Sequence, residues 1–222
     1  KFLQRETVQA FGCAGCRIEV IPNFVDPTVY NRARYAADAQ AFDGSRRVLM
    51  HISNFRPVKR VGDIVRTFAR VNAEVPSVLV MVGDGPDRIV AEQEARALGV
   101  ERHVFFLGKV DFVASLLASA DLFLIPTDRE SFGLSALEAL ASGTPVIGAN
   151  AGGLPEVVRD GETGVLCDVG DVDAMARAAI AILRDRDRWS AMSAHAAADA
   201  RARFAQDDVV ARYEQFYTDA LG

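Results

Sequence analysis

"RVLMHISNFRPVKRVGDIVRTFARVNAEVPSVLVMVGDG", residues 47 to 85, decides the fold. It opens and closes on short apolar runs, "RVLMHIS" and "SVLVMVG". Between them Val61, Ile64, Val65, Phe68 and Val71 recur at the spacing of one helix face. Strand, helix, strand is the repeating unit of a parallel sheet. Outward from it the rhythm persists. "DRIVAEQEARALGV" reads as a helix ending at Gly99, "HVFFLG" as a third strand and "FVASLLASA" as a short helix. "DLFLIPT" is a fourth strand, and a helix begins in "RESFGLSALEALASG". "TPVIGA" and "TGVLCD" are the fifth and sixth strands. Residues 171 to 184, 187 to 203 and 207 to 220 read as closing helices, and the first dozen residues as an opening one. "IEVIPNFVD" is expected to be a strand and turn, and residues 27 to 46 an exposed connection. The expected fold is α/β, a doubly wound parallel sheet of about six strands with helices on both faces.

Composition bounds the function. The 222 residues carry a formal charge of −5, which argues against nucleic acid as a partner and against a polybasic membrane anchor. No apolar run reaches the roughly 18 residues of a membrane span, and no signal peptide is evident. The chain does not start with Met and reads as a fragment. Three cysteines fit a reducing cytoplasm. "CAGC", Cys13 to Cys16, has redox or metal-ligand spacing, but no further ligands are evident nearby and the motif ends a helix rather than following a strand.

Ligands of such sheets collect outside the carboxyl ends of the strands, so the loops there hold the candidates. "SNFRPVKR" brings Arg56, Lys59 and Arg60 before a helix, which suits phosphate oxygens or a solvated basic turn. "GDGPD" places Gly85 where backbone approaches closely, for a ligand or simply for a turn. In "TDRESFGLSALEALASG", Ser131 is expected to cap the helix, leaving the amides of Phe132, Gly133 and Leu134 turned outwards to an anion. Leu134, Leu137 and Ala141 are expected to form the buried stripe, with Glu138 beside it. Glu138 stands seven residues past the cap, roughly 10 Å along the axis. A ribose diol there would satisfy its carboxylate, and Glu130 in the loop would take hydroxyls at the ligand's other end. Surface helix charge is the alternative. "NAGGLPEVVRDGETG" is a tight or mobile turn. His51 is expected to be a core or wall residue, His103 and His195 structural or superficial.

"ESFGLSALEALASGTPVI" followed by "GGLPEVVRDGETG" resembles the retaining nucleotide-sugar glycosyltransferases of group 1, whose fold is the two-domain GT-B architecture. Glu130 and Glu138 match their EX7E motif, and "VGDGP" their loop after the second strand of the C-terminal domain. The resemblance covers nearly all of residues 18 to 220. It implies a Rossmann-like, donor-binding C-terminal half over 18–205, with 1–17 closing the N-terminal half and 206–222 a helix crossing back to it. It implies Glu130 at the donor sugar, Glu138 at the ribose, amides of Phe132, Gly133 and Leu134 at sugar and phosphates, and Ser131 among the substrate-binding residues. Lys59 would neutralise the departing diphosphate, and Lys109 and Val110 would meet uracil through backbone. Many members carry an arginine five or six residues before that lysine. Asn54 stands near that place here, so Asn54 and Arg56 remain alternatives for the second phosphate contact.

"VIPNFVD", "HISNFRPVKRV" and "FLGKVD" are most similar to the branch of the bacillithiol pathway that joins N-acetylglucosamine from UDP to the hydroxyl of L-malate. The implied partners are a UDP-sugar donor and a small hydroxy-acid acceptor held mainly by the other half, with a homo-oligomer open. No cofactor or metal is expected. Another acceptor or sugar, a related UDP-N-acetylglucosamine epimerase, or a non-catalytic nucleotide-binding module are the rival readings. The EX7E spacing disfavours the epimerase.

Overall fold

The computed structural model describes residues 1–12, 15–16, 18–35 and 45–221. Six strands form one sheet: β1 (Arg47–Ile52), β2 (Ser77–Val82), β3 (Val104–Gly108), β4 (Leu122–Ile125), β5 (Val146–Ala149) and β6 (Gly164–Cys167). Their order is β3-β2-β1-β4-β5-β6, and every pairing is parallel. The strand alternation builds two cores. Leu49, Leu79, Met81, Leu122, Leu124 and Ile147 face α2 (Val61–Glu74), α3 (Arg88–Ala97) and α7 (Val172–Arg184). Val48, Met50, Val80, Phe123, Ile125 and Val146 face α4 (Ala114–Ser119), α5 (Leu134–Ala141) and α8 (Arg186–Phe204). Both faces of every central strand are buried, which is why the strands read as unbroken apolar runs. α1 (Phe2–Phe11) buries no residue, and α6 (Leu154–Val157) and α9 (Gln206–Leu221) complete the helices.

The strand order reverses between β1 and β4. A crevice outside the carboxyl ends at such a reversal is where these sheets take ligands. The loops after β1 and β4 flank it.

Two expectations need correction. Residues 18–26 form no sheet strand. Pro22 offers no N–H, and Val25 pairs instead with the joint between α8 and α9, donating to Phe204 O at 2.9 Å and accepting from Gln206 N at 3.0 Å. Nor are residues 27–35 a loose exposed connection. A 3₁₀ turn spans Arg32–Tyr35 with Tyr35 buried. Arg32 reaches Ala120 O at 2.7 Å and Thr144 Oγ1 at 2.9 Å. Residues 36–44 of that stretch lie outside the described residues, as does Cys13 of the "CAGC" motif. Among the described residues no helix is long and apolar enough to cross a membrane.

Candidate functional site

The site is built by loops that tie themselves to one another. After β1 the chain makes a 3₁₀ turn, Pro57–Lys59. After β4, buried Thr127 donates its hydroxyl to Val58 O at 2.9 Å, and Asp128 N donates to the same carbonyl at 3.1 Å. These bonds lay one loop along the other and bring Lys59 Nζ to 2.6 Å from Glu130 Oε2. Both side chains are mostly shielded from water, at 20% and 13% exposure, where a charge is costly unless paired.

The loop after β5 supports Glu130 from beneath. Gly153 N donates to Glu130 O at 2.7 Å. A Cβ on Gly152 would lie 2.1 Å from Glu130 O, and one on Gly153 2.2 Å from Ser131 O. The glycine pair is therefore a packing requirement of the acidic loop. Gly85 has the same character: its Cβ would lie 2.0 Å from Asn54 O, so the loop after β2 is pressed against the loop after β1. Gly83 N donates to Gly108 O at 2.7 Å, linking the loop after β3 as well.

α5 begins differently from expectation. Its N-cap is Gly133 at φ 97, with no side-chain cap bond, and helix starts at Leu134. Ser131 caps nothing, because the positive-φ turn at Gly133 sets the N-cap two residues beyond it. Among the described residues the amides of Phe132, Gly133 and Leu134 donate to no protein acceptor, so three N–H groups remain at the positive end of the helix dipole. The expected buried stripe holds at Leu137 and Ala141 but not at Leu134. α5 buries Ala136, Leu137, Ala139, Leu140 and Ala141, while Leu134 is 46% exposed. At about 100° per residue Glu138 shares Leu134's side, away from the centre of the buried arc.

Glu138 is nonetheless desolvated, and this raises its carboxyl above the usual value. Tyr30 OH donates to its Oε1 at 2.9 Å, a bond that pulls the carboxyl back down. Burial and the adjacent Glu138 charge push the Tyr30 phenol up, so it stays a donor. Nothing in the sequence links residue 30 to residue 138; Tyr30 was not foreseen. Phe132 stacks edge-on against Phe204 at 5.7 Å, which fastens the amide turn to the end of α8.

Asn54 and Arg56 are exposed, and their side chains hold no hydrogen bond among the described residues. Arg60 is committed elsewhere, with Nε 2.6 Å from Asp63 Oδ2. Lys109 is exposed, and Val110 rests half-buried on the α4–α5 core. His51 is fully enclosed. Burial lowers its pKa to about 4, so it is neutral. Leu124 O lies 2.8 Å from Nδ1 and can only accept, which places the proton on Nδ1. Ser53 then donates to Nε2 at 2.7 Å and accepts from Phe55 N at 3.2 Å. His51 thus braces the loop of Lys59 and has no nitrogen free for proton transfer. Among the described residues no group of three or more His, Cys, Asp or Glu is arranged around a metal-sized space.

A family model described as glycosyl transferases group 1 matches residues 36–201. The N-acetyl-alpha-D-glucosaminyl L-malate synthase of Bacillus anthracis is 42% identical over 206 residues, 92% of this chain and 54% of that protein. Sucrose-phosphate synthase from Thermosynechococcus elongatus shares the fold, with a TM-score of 0.88 at 23% identity over 98% of this chain and 56% of its own. Anabaena HepE, solved in complex with UDP-glucose, gives a TM-score of 0.85 at 27% identity, covering 97% of this chain and 62% of that one. The chain spans about half the length of the curated relatives it matches.

Proposed function

This chain belongs to the glycosyl transferases of group 1, and on that premise we propose that it is the donor-binding half of a retaining enzyme that moves N-acetylglucosamine from UDP to the hydroxyl of L-malate. The observation that carries the reading is the meeting of Lys59 and Glu130, 2.6 Å apart, where the strand order reverses and beside three amides that donate to no acceptor among the described residues. A cation, a carboxylate and a helix start suit a ligand with a diphosphate between two hydroxyl-rich ends. The malate-synthase relative favours the substrates, and the complex of HepE with UDP-glucose favours the nucleotide.

In this reading Glu130 holds hydroxyls of the donor sugar near its reacting carbon, and Glu138 holds the ribose. The amides of Phe132, Gly133 and Leu134 and the Lys59 ammonium meet the diphosphate, with Ser131 at the sugar end. Asn54 or Arg56 supplies a further phosphate contact, Gly85 keeps the floor of that loop close, and Lys109 and Val110 flank uracil. As the sugar carbon separates from UDP, negative charge grows on the β-phosphate. Fixed N–H groups and a fixed cation stabilise that charge more in the transition state than before it, which accelerates the step without a metal.

Residues 18–205 form the donor-binding domain, 1–17 end the acceptor-binding half, and 206–222 return to it. Glu6 of α1 pairs with Arg129, beside Glu130, at 2.6 Å, which suits a segment arriving across the cleft. The deciding experiment assays the full-length protein with a panel of UDP-sugars and hydroxy acids. Product from UDP-N-acetylglucosamine and L-malate is expected; transfer only to other acceptors overturns the assignment. This chain alone is expected to bind UDP and form no product.

A further inference from the structure

Glu138 faces away from the buried arc of its own helix, so its desolvation comes from what covers it. Tyr30 is that cover's polar contact, and the segment carrying it is heavily fastened. Asp26 Oδ1 accepts from Thr28 N at 2.8 Å and from Thr28 Oγ1 at 2.7 Å, Tyr30 N donates to Asp26 O at 3.0 Å, and Arg34 holds Thr28 O at 2.8 Å. Two residues on, Arg32 is bonded into the ends of α4 and α5. The ring of Tyr30 packs on the α4–α5 core. Its phenol therefore reaches Glu138 from a fixed direction, donating to Oε1. Oε2 has no partner among the described residues, and Oε1 keeps a second lone pair.

We propose that Tyr30 is a positioning residue for nucleotide binding, fixing the Glu138 carboxylate so that Oε2 and the second lone pair of Oε1 accept the two adjacent hydroxyls of a ribose. This rests on the reading above that Glu138 takes the ribose. A carboxylate without the phenol is free to rotate. A sugar lacking one hydroxyl leaves one of the two acceptors unmet, and an unmet buried polar group discriminates strongly.

The charge state gives a readout that mere structural support does not move. Burial holds the Glu138 carboxyl up and the Tyr30 bond holds it down. Removing the phenol oxygen raises it further, so the carboxylate is neutralised at a higher pH. Among the described residues no other titrating side chain is bonded to it. α4 carries none; α6 brings Glu156, which bonds the amino terminus. α8 brings His195 and also Asp199, which pairs with Arg159 and Arg203.

The test titrates the 222-residue chain with UDP and with 2′-deoxy-UDP, using the parent, Y30F, E138A and the double variant, at about pH 8 and about pH 5.5. The parent is expected to prefer UDP about tenfold. Y30F is expected to weaken UDP by about tenfold and to narrow that preference. Its loss relative to the parent, a ratio in which the ligand's own titration cancels, grows at the lower pH. In the E138A background Y30F costs nothing further, because Tyr30 acts through Glu138. Y30F binding as the parent does, or losing the same factor with and without Glu138 and at both pH values, overturns the proposal. A parent that ignores UDP, or an E138A chain that binds it undiminished, removes the ribose reading itself and Tyr30's role with it.

Discussion

Lys59 Nζ and Glu130 Oε2 lie 2.6 Å apart across 71 residues of sequence, so without ligand each of the two charges most suited to the donor is occupied by the other. A phosphate at Lys59 competes with this pairing. Replacing Glu130 by Gln frees Lys59 for phosphate and removes a carboxylate near it. UDP itself is then expected to bind about fivefold more tightly, roughly 1 kcal/mol, while sugar transfer by the full-length enzyme falls about a hundredfold. Lys59→Ala is expected to weaken both. Calorimetry with UDP and turnover measured in parallel check the opposite signs; E130Q that loses UDP affinity removes the ion pair from the account.

The floor under Glu130 is tested by glycine. Gly152→Ala brings a Cβ to 2.1 Å from Glu130 O at a backbone φ of +60. Backbone cannot yield cheaply, so about 2 kcal/mol or more of stability is expected to go, with UDP binding weakened as the acidic loop shifts. Gly161 supplies the control. Its φ is +78 but nothing lies within 4 Å of its Cβ position, so Gly161→Ala should cost only the conformational strain of about 1 kcal/mol and leave binding intact. Urea unfolding and UDP titration of both variants separate contact from strain.

His51 links the site loop to pH. Its folded pKa, lowered by burial to about 4, lies below the ordinary 6.5, so the unfolded chain takes up the proton first as pH falls. Stability is expected to decline between about pH 6.5 and pH 4, by at most about 3 kcal/mol, and to be unaffected by this group above that window. His51→Gln keeps a donor for Leu124 O and an acceptor for Ser53 but cannot titrate. Urea midpoints across the window should fall more steeply in the parent; parallel declines would assign the acid sensitivity elsewhere.

What was legible in the sequence was what burial writes there. Strands enclosed on both faces must be apolar throughout, so β1, β2, β4 and β5 announced themselves, and with them the loops holding Lys59 and Glu130. Glu138 stood out by its place on the helix after Glu130, and the EX7E resemblance matched both. Less legible was everything set by a turn or by distant contact. Ser131 has the right chemistry for a cap, but the positive φ of Gly133 moved the helix start past it. Leu134 fits a helical stripe by spacing, yet the face of α5 is chosen by α4 and α8, not by its own pattern. "IEVIPNFVD" has strand composition and no sheet edge to join. Tyr30 and Glu138 are 108 residues apart, and no local periodicity carries such a pairing.

Arg32 shows how that distant contact is held. Its guanidinium bonds Ala120 O, Gly143 O and Thr144 Oγ1 and lies 5.3 Å from the centre of the Trp189 ring. Burial lowers its pKa, with Asp121 acting against that. Arg32→Ala leaves two carbonyls without this donor and opens space beside Trp189, and is expected to cost about 3 kcal/mol. In a chain of this size that is a fall in Tm of roughly 6–12 °C. Arg32→Lys keeps charge but cannot span three acceptors from a single ammonium direction, so it should recover only part of the loss. Because Tyr30 stands two residues away, both variants should also weaken UDP a few-fold without touching the ligand. That weakening should be absent when Glu138 is already Ala. Thermal unfolding and UDP titration in the two backgrounds decide it, and an equal loss in both would confine Arg32 to the stability of the fold.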